Sequence, residues 1–192
     1  AYSELYFEGD KPKPFQQYSE KGLVITCGSF SKTAAPGYRL GYIAPGQWQQ
    51  KAKQLKRALS ASTSMLPQWT LSEYLQSGEY DRHLSVLRKR LAYNCERMRS
   101  LVAEHFPPEV CISKPKGGNV LWIRCRSQVH TEDFFDDAIE NGVSFAPGAI
   151  FSPSGKYHNY MRLSFGVHWC DDIETAIKNL GKLVYKAQDK LK

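Results

Sequence analysis

The 192-residue sequence has no apolar run approaching the ~18 residues that a membrane-spanning helix needs, which excludes a bundle of such helices. It has no internal repeat and no low-complexity tract. Its five cysteines, Cys27, Cys95, Cys111, Cys125 and Cys170, contain no Cys-x-x-Cys pair and are odd in number, so a zinc ribbon and a closed disulfide framework are both disfavoured. Buried free thiols in a reducing, cytoplasmic compartment are the expectation. The opening Ala1-Tyr2-Ser3-Glu4 lacks the basic start and apolar stretch of a signal peptide. An initiating methionine is missing too, and a segment is therefore expected to have been removed from the front. What is present, 42% hydrophobic and 23% charged residues, has the balance of a globular protein rather than a disordered tail.

The formal charge is +7. Much of the excess falls on Lys51, Lys53, Lys56 and Arg57, and on Arg82, Arg88, Lys89, Arg90, Arg97 and Arg99. Around the second group, Leu84, Leu87, Leu91, Met98, Leu101 and Val102 recur at the spacing of one helix face. The basic residues decorate the opposite side. Without aromatic interleaving or a recognition-helix signature they read as a solvated face, not a nucleic-acid surface.

Along the chain, Leu23-Val24-Ile25-Thr26-Cys27 reads as a strand buried on both faces and residues 39–44 as another. Helices are predicted over 47–59, 67–76 and about 81–105, the last stopped by Pro107-Pro108. Then come a strand over 119–123, a helix over 131–141 with Thr131 as its N-cap and Gly142 as its stop, and strands over 143–146 and 160–165. A last helix, capped by Asp171 or Asp172, runs through Ile173, Ile177, Leu180 and Val184. The fold class is α/β, with a first part over 1–106 and a smaller domain over 107–192. The histidines are dispersed, with no pair at metal-ligand spacing, and no metal is expected.

The informative segment is Gly28-Ser29-Phe30-Ser31-Lys32-Thr33-Ala34-Ala35-Pro36-Gly37-Tyr38-Arg39-Leu40-Gly41. Lys32-Thr33 invites a nucleotide phosphate-loop reading, but Ser31 and Thr26 stand where that motif needs glycine. There remains a lysine at the end of a strand, flanked by hydroxyls, with an arginine further on. Ser29, Ser31 and Arg39 can hold a phosphate while Lys32 reaches a carbonyl carbon, because guanidinium matches pairs of phosphate oxygens and hydroxyls donate to the others. A carbonyl cofactor bearing a phosphate is pyridoxal 5'-phosphate, carried on lysine as a Schiff base. On the residues alone, an ordinary surface lysine remains the competing reading.

Ser-Phe-Ser-Lys-Thr-x-x-Pro-Gly-x-Arg-x-Gly-Tyr resembles the lysine segment of fold-type I, class I/II aminotransferases, which depend on pyridoxal phosphate. The similarity extends to Tyr2 in Ala-Tyr-Ser-Glu-Leu, to Pro115 through Trp122, to Phe145 through Phe151 and to Met161 through Phe165. Residues 77–84 and 151–155 most resemble the effector-sensing half of GntR/MocR-type transcription regulators, which join a winged helix to an aminotransferase-like domain. The resemblance implies that Lys32 forms the Schiff base and shuttles a proton, that Ser29, Ser31 and Arg39 grip the phosphate, and that Tyr2 hydrogen-bonds the ring's phenolic oxygen. Arg162 would hold the α-carboxylate of an amino-acid-like ligand; otherwise it is a strand-end arginine balancing Asp171 or Asp172. Trp122 is expected in the core.

In that family an aspartate three positions before the tyrosine pairs with the pyridine nitrogen, a position ahead of Ala1 here. The chain is therefore expected to be the C-terminal portion of a longer protein: a partial large domain plus a small α/β domain of the fold-type I transferase fold. Alone, it is expected to bind the cofactor weakly or not at all and to associate. The full protein is expected to be a homodimer that reaches DNA only through an N-terminal domain outside this sequence, with no membrane partner. A free-standing aminotransferase acting on an amino acid and a 2-oxo acid is the alternative.

Overall fold

The computed structural model describes residues 2–190. It divides into two compact units, Ala1–Lys89 and Arg90–Lys192, with the division falling inside a long helix.

In the first unit, β1 (Thr26–Ser29) pairs antiparallel with β2 (Gly41–Ala44), from Thr26 opposite Ala44 to Ser29 opposite Gly41. The ladder is shorter than predicted because residues 23–25 lie beyond the end of β2 and have no strand partner among the described residues, the Leu23 N–H donating to Ser19 Oγ at 3.1 Å instead. Nor is the strand buried on both faces: Leu23 and Ile25 are 55% and 49% exposed. Two strands alone form no second layer to cover them. Helices α1 (Gln49–Ser60) and α2 (Met65–Gln76) follow, close to their predicted spans. Pro67 sits in the first turn of α2, where its missing N–H leaves no intrahelical bond unmade.

Helix α3 (Glu79–His105) begins with Glu79 and Asp81 in its first turn, where carboxylates suit the positive end of the helix dipole. It stops before Pro107, as the proline pair predicts. Its predicted apolar stripe is buried at Leu84, Leu91, Met98, Leu101 and Val102. The basic side is less solvated than expected. Within the first unit Arg88 donates from Nε to the Glu4 carbonyl at 2.8 Å and lies 4.2 Å over the Tyr6 ring. Within the second, Arg97 forms two parallel bonds to Glu174, at 2.8 and 2.7 Å. Long stems and planar heads let these arginines bridge elements while remaining partly wet.

The second unit holds a four-stranded antiparallel sheet in the order β3 (Cys111–Ile112), β4 (Val120–Arg124), β6 (Tyr160–Ser164), β5 (Ala146–Pro147). Period-two alternation sends Leu121, Ile123, Met161 and Leu163 into the core and leaves Trp122, Arg124, Tyr160 and Arg162 on the other face. The predicted 143–146 strand shrinks to β5. The Val143 N–H instead donates to the Ala138 carbonyl at 3.0 Å, closing the end of α4 (Phe135–Glu140), and the buried Phe145 ring packs against Phe134 and Phe135.

Two predicted caps are corrected. Thr131 caps no helix: it is fully buried, and its hydroxyl lies 2.7 Å from the Tyr160 carbonyl and 3.1 Å from that of His158, satisfying buried strand oxygens. The segment after it is a 3₁₀ turn, Thr131–Phe134, before α4. Helix α5 (Asp171–Asp189) has Cys170 at its N-cap, while Asp171 and Asp172 lie in its first turn. Ile177, Leu180 and Val184 are buried as predicted. Gly181 in α5 meets the end of α3 so closely that a Cβ there would collide with the His105 carbonyl. None of the five cysteines forms a disulfide; Cys95 and Cys125 are the buried ones, and burial pushes the Cys125 thiol up to about 12. No helix among the described residues is long and apolar enough to cross a membrane.

Candidate functional site

The β1–β2 connection forms a closed loop. At its mouth the Phe30 N–H donates to the Leu40 carbonyl at 3.1 Å. The Phe30 carbonyl in turn accepts from the N–H groups of Thr33, Ala34 and Ala35, winding residues 30–35 into a tight turn. Thr33 points inward and is 2% exposed, while Lys32 is exposed on the same turn. The Phe30 ring anchors it, 5.8 Å from Tyr42 and 6.3 Å from Tyr80. A Cβ at Gly28 would run into the Tyr42 ring, and one at Gly41 would lie 2.5 Å from the Gly28 oxygen, so glycine at both positions lets the two strands and the ring close together.

The three predicted phosphate ligands are gathered on this loop. The Ser31 N–H donates to Ser29 Oγ at 3.2 Å, and Arg39 Nη1 donates to Ser31 Oγ at 3.4 Å. Arg39 takes a left-handed backbone, φ 52° and ψ 35°, closing the turn Pro36–Tyr38. For a residue with a Cβ this conformation costs roughly 1–2 kcal/mol, a strain typical of segments that aim a side chain. Two hydroxyls and a guanidinium on the loop that also carries the exposed Lys32 make a donor set suited to a phosphate and a carbonyl carbon. The donor set and loop thus fit pyridoxal phosphate. Behind β1 lies a cavity of about 290 Å³ whose walls include Glu4, Lys11, Thr33 and Tyr80. Burial raises the Tyr80 phenol above its ordinary pKa, so it stays protonated as a donor.

Tyr2 is not joined to this cluster by any hydrogen bond among the described residues. It is 49% exposed, and its carbonyl accepts from the Leu5 N–H at 2.9 Å. Arg162 belongs to the second unit. On β6 it stands opposite Trp122 of β4 and Ala146 of β5, with its guanidinium carbon 4.7 Å over the Phe151 ring. Among the described residues it makes no ion pair, and its balance with Asp171 or Asp172 is not observed. Trp122 departs from the expected core placement: it is half-buried on the open sheet face, ringed by Phe151 at 5.5 Å, Tyr157 at 5.8 Å and Tyr160 at 5.4 Å. The strand alternation that buries Leu121 and Ile123 could have indicated this. The fold also stacks His130 on His158, two residues that sequence spacing leaves unrelated.

Residues 1–180 match the family described as aminotransferase class I and II. The chain belongs to the class I and II aminotransferase family. Relatives in and around this family include the uncharacterized HTH-type transcriptional regulator YjiR of Escherichia coli, 34% identical over 98% of this chain and 40% of that protein. Another is the 2-aminoadipate transaminase of Thermus thermophilus, 33% identical over 95% of this chain and 47% of the enzyme. Among solved structures, LysN, the α-aminoadipate aminotransferase of Thermus thermophilus, superposes with a TM-score of 0.91 at 28% identity, covering 98% of this chain and 49% of that one. That structure holds N-(5'-phosphopyridoxyl)-L-leucine. This aminotransferase-like chain thus spans less than half the length of those relatives, a partial fold-type I architecture.

Proposed function

We propose that this aminotransferase-like chain carries pyridoxal 5'-phosphate on Lys32 and serves as the effector-sensing part of a GntR/MocR-type transcription regulator. The observation that carries the proposal is the Ser29–Ser31–Arg39 group gathered on the loop that exposes Lys32. Ser29 and Ser31 donate hydroxyl protons to the phosphate, and Arg39 turns its planar face of donors to the remaining oxygens. Lys32 Nζ is the covalent anchor and the group that moves a proton at the ligand's α-carbon. When bound, the cofactor supplies an electron sink for charge developing at that carbon. Tyr2 donates its phenol proton to the ring oxygen. Arg162 binds the α-carboxylate of an amino-acid-like ligand through two parallel bonds, its plane held by Phe151.

In this reading residues 1–106 belong to the cofactor-binding domain, with α3 as its connecting helix, and 107–192 form the small domain. The full protein is a cytoplasmic homodimer whose DNA contacts come from a segment outside this chain. The regulator relatives support that role. The transaminase relatives support a second reading, an aminotransferase acting on an amino acid and a 2-oxo acid. Both readings use the same Lys32 and Arg162. Incubating the full-length protein with pyridoxal phosphate, a panel of amino acids and a 2-oxo acid as amino-group acceptor, while following release of the donor's own 2-oxo acid and promoter binding, separates them. A regulator changes its DNA affinity without turnover. Sustained 2-oxo acid release with no change in DNA binding overturns the regulator reading.

A further inference from the structure

Away from the Lys32 loop and the Arg162 face, the fold assembles His130, Glu132 and His158 so that one donor atom of each lies within 4.8 Å of the other two. The imidazole rings stack 5.2 Å apart at 19°, and His158 Nδ1 is 3.2 Å from Glu132 Oε2. We propose that these three side chains form a binding site for a borderline divalent transition-metal ion, with Zn²⁺ the natural occupant. Two neutral imidazole nitrogens and one carboxylate oxygen are a zinc-type donor set; magnesium and calcium prefer all-oxygen surroundings.

The geometry is close to what the ion needs. Zinc bonds of about 2.0–2.2 Å place tetrahedral ligand atoms roughly 3.4 Å apart. The His158–Glu132 pair already has that spacing, and side-chain rotation closes the rest, since both are only partly covered. The ring nitrogens of His130 carry no hydrogen bond among the described residues, so its ligation displaces no existing partner, and the ion takes the place of the direct His158–Glu132 contact.

The backbone under the site is pre-arranged. Thr131, between His130 and Glu132, donates its N–H to the His158 carbonyl at 2.8 Å, and its buried hydroxyl faces the carbonyls of His158 and Tyr160. A second stitch lies alongside, where the Cys125 N–H donates to the Asn159 carbonyl at 2.8 Å and Asn159 Nδ2 donates back to the Cys125 carbonyl at 2.7 Å. Both ligand-bearing segments are therefore fixed before any ion arrives, and binding orders three side chains rather than closing a loop. The ion would also fix the backbone beside Tyr157, a non-glycine residue at φ 68° whose ring packs on Trp122. It would thus brace the open sheet face that carries Arg162.

The test is calorimetric titration of the full-length protein with Zn²⁺ after serine replaces the exposed Cys27, Cys111 and Cys170, which removes these competing thiolates. One equivalent is expected to bind, and His130→Gln and His158→Gln are each expected to weaken it by at least about tenfold with unchanged circular dichroism. A hundredfold excess of Mg²⁺ should not compete. Absence of uptake, or uptake unaffected by both substitutions, overturns the proposal. Histidine ring NMR of the full-length protein that keeps all its histidines reads the same site without relying on the folding of either histidine variant. Zn²⁺-induced shifts at His130 and His158 support the site, and shifts confined to His83, His105 or His168 overturn it.

Discussion

Arg39 reaches back across its own loop to donate to Ser31 Oγ at 3.4 Å, although eight positions separate the two. The bond is long for a charged donor, and a tighter acceptor would displace it. Ser31 thereby holds the guanidinium on the loop that carries Lys32, and a phosphate entering the loop would find its arginine already turned toward Ser31.

Substitution of Arg39 should separate the fold from the site. Arg39→Gly removes the charge-assisted bonds and relieves the left-handed backbone. Pyridoxal phosphate affinity of the full-length protein is expected to fall roughly 10- to 100-fold, as the net loss of one hydrogen bond from a charged group implies. The urea midpoint should hold or rise, since glycine adopts that conformation without steric cost. Arg39→Lys keeps the charge but loses the planar fork and should lie between. Spectrophotometric cofactor titration and urea melts measure the two quantities.

Arg162→Ala should leave cofactor attachment at Lys32 intact while lowering the response to amino acids by at least about tenfold. The residue is exposed and without an ion pair among the described residues, so the fold is expected to survive. Absorbance changes of the cofactor on adding amino acids read the response.

The Glu174 carboxyl is held at about 2, first by its hydrogen bonds to Arg97 and then by the Trp169 indole N–H at 3.1 Å. Its pKa is lower in the folded state than in the unfolded chain, whose carboxylate titrates near ~4.3. The stabilisation is therefore fully present above that pH and is lost as pH falls toward 2. Glu174→Gln should flatten this acid limb and lower stability at neutral pH. Denaturant midpoints collected between pH 7 and 2 provide the comparison.

Gly181→Ala pits helix propensity against packing. Alanine favours a helix interior by about 1 kcal/mol over glycine, yet its Cβ would strike the His105 backbone, which has no flexible end to move aside. Overpacking of this kind typically costs 1–3 kcal/mol, so roughly 1 kcal/mol of net destabilisation is expected. A urea melt showing stabilisation instead would mean that α5 can shift away from α3.

Periodicity made the helices and the central strands of the second unit legible. The stripe of Leu84, Leu91 and Met98 and the Pro107 stop bound α3 within two residues of its predicted start. Caps were less legible, because Thr131 and Asp171 have residue types that suit either a helix end or another polar role. Only the tertiary structure shows that Thr131 is used by the carbonyls of His158 and Tyr160. The phosphate-type donors share one short loop, so their grouping could be read from spacing. The His130–His158 stack could not, because it depends on how the 3₁₀ turn meets the lead into β6. The outward turn of Trp122 follows from strand alternation, which outweighs the general preference of tryptophan for burial.

The central claim is that Lys32 carries pyridoxal phosphate. Borohydride reduction of the full-length protein after incubation with the cofactor, followed by peptide mapping, tests it most directly. A phosphopyridoxyl group is expected on the peptide containing Lys32, and it should disappear in Lys32→Ala with the fold intact. A label on another lysine, or one that survives Lys32→Ala, would contradict the claim.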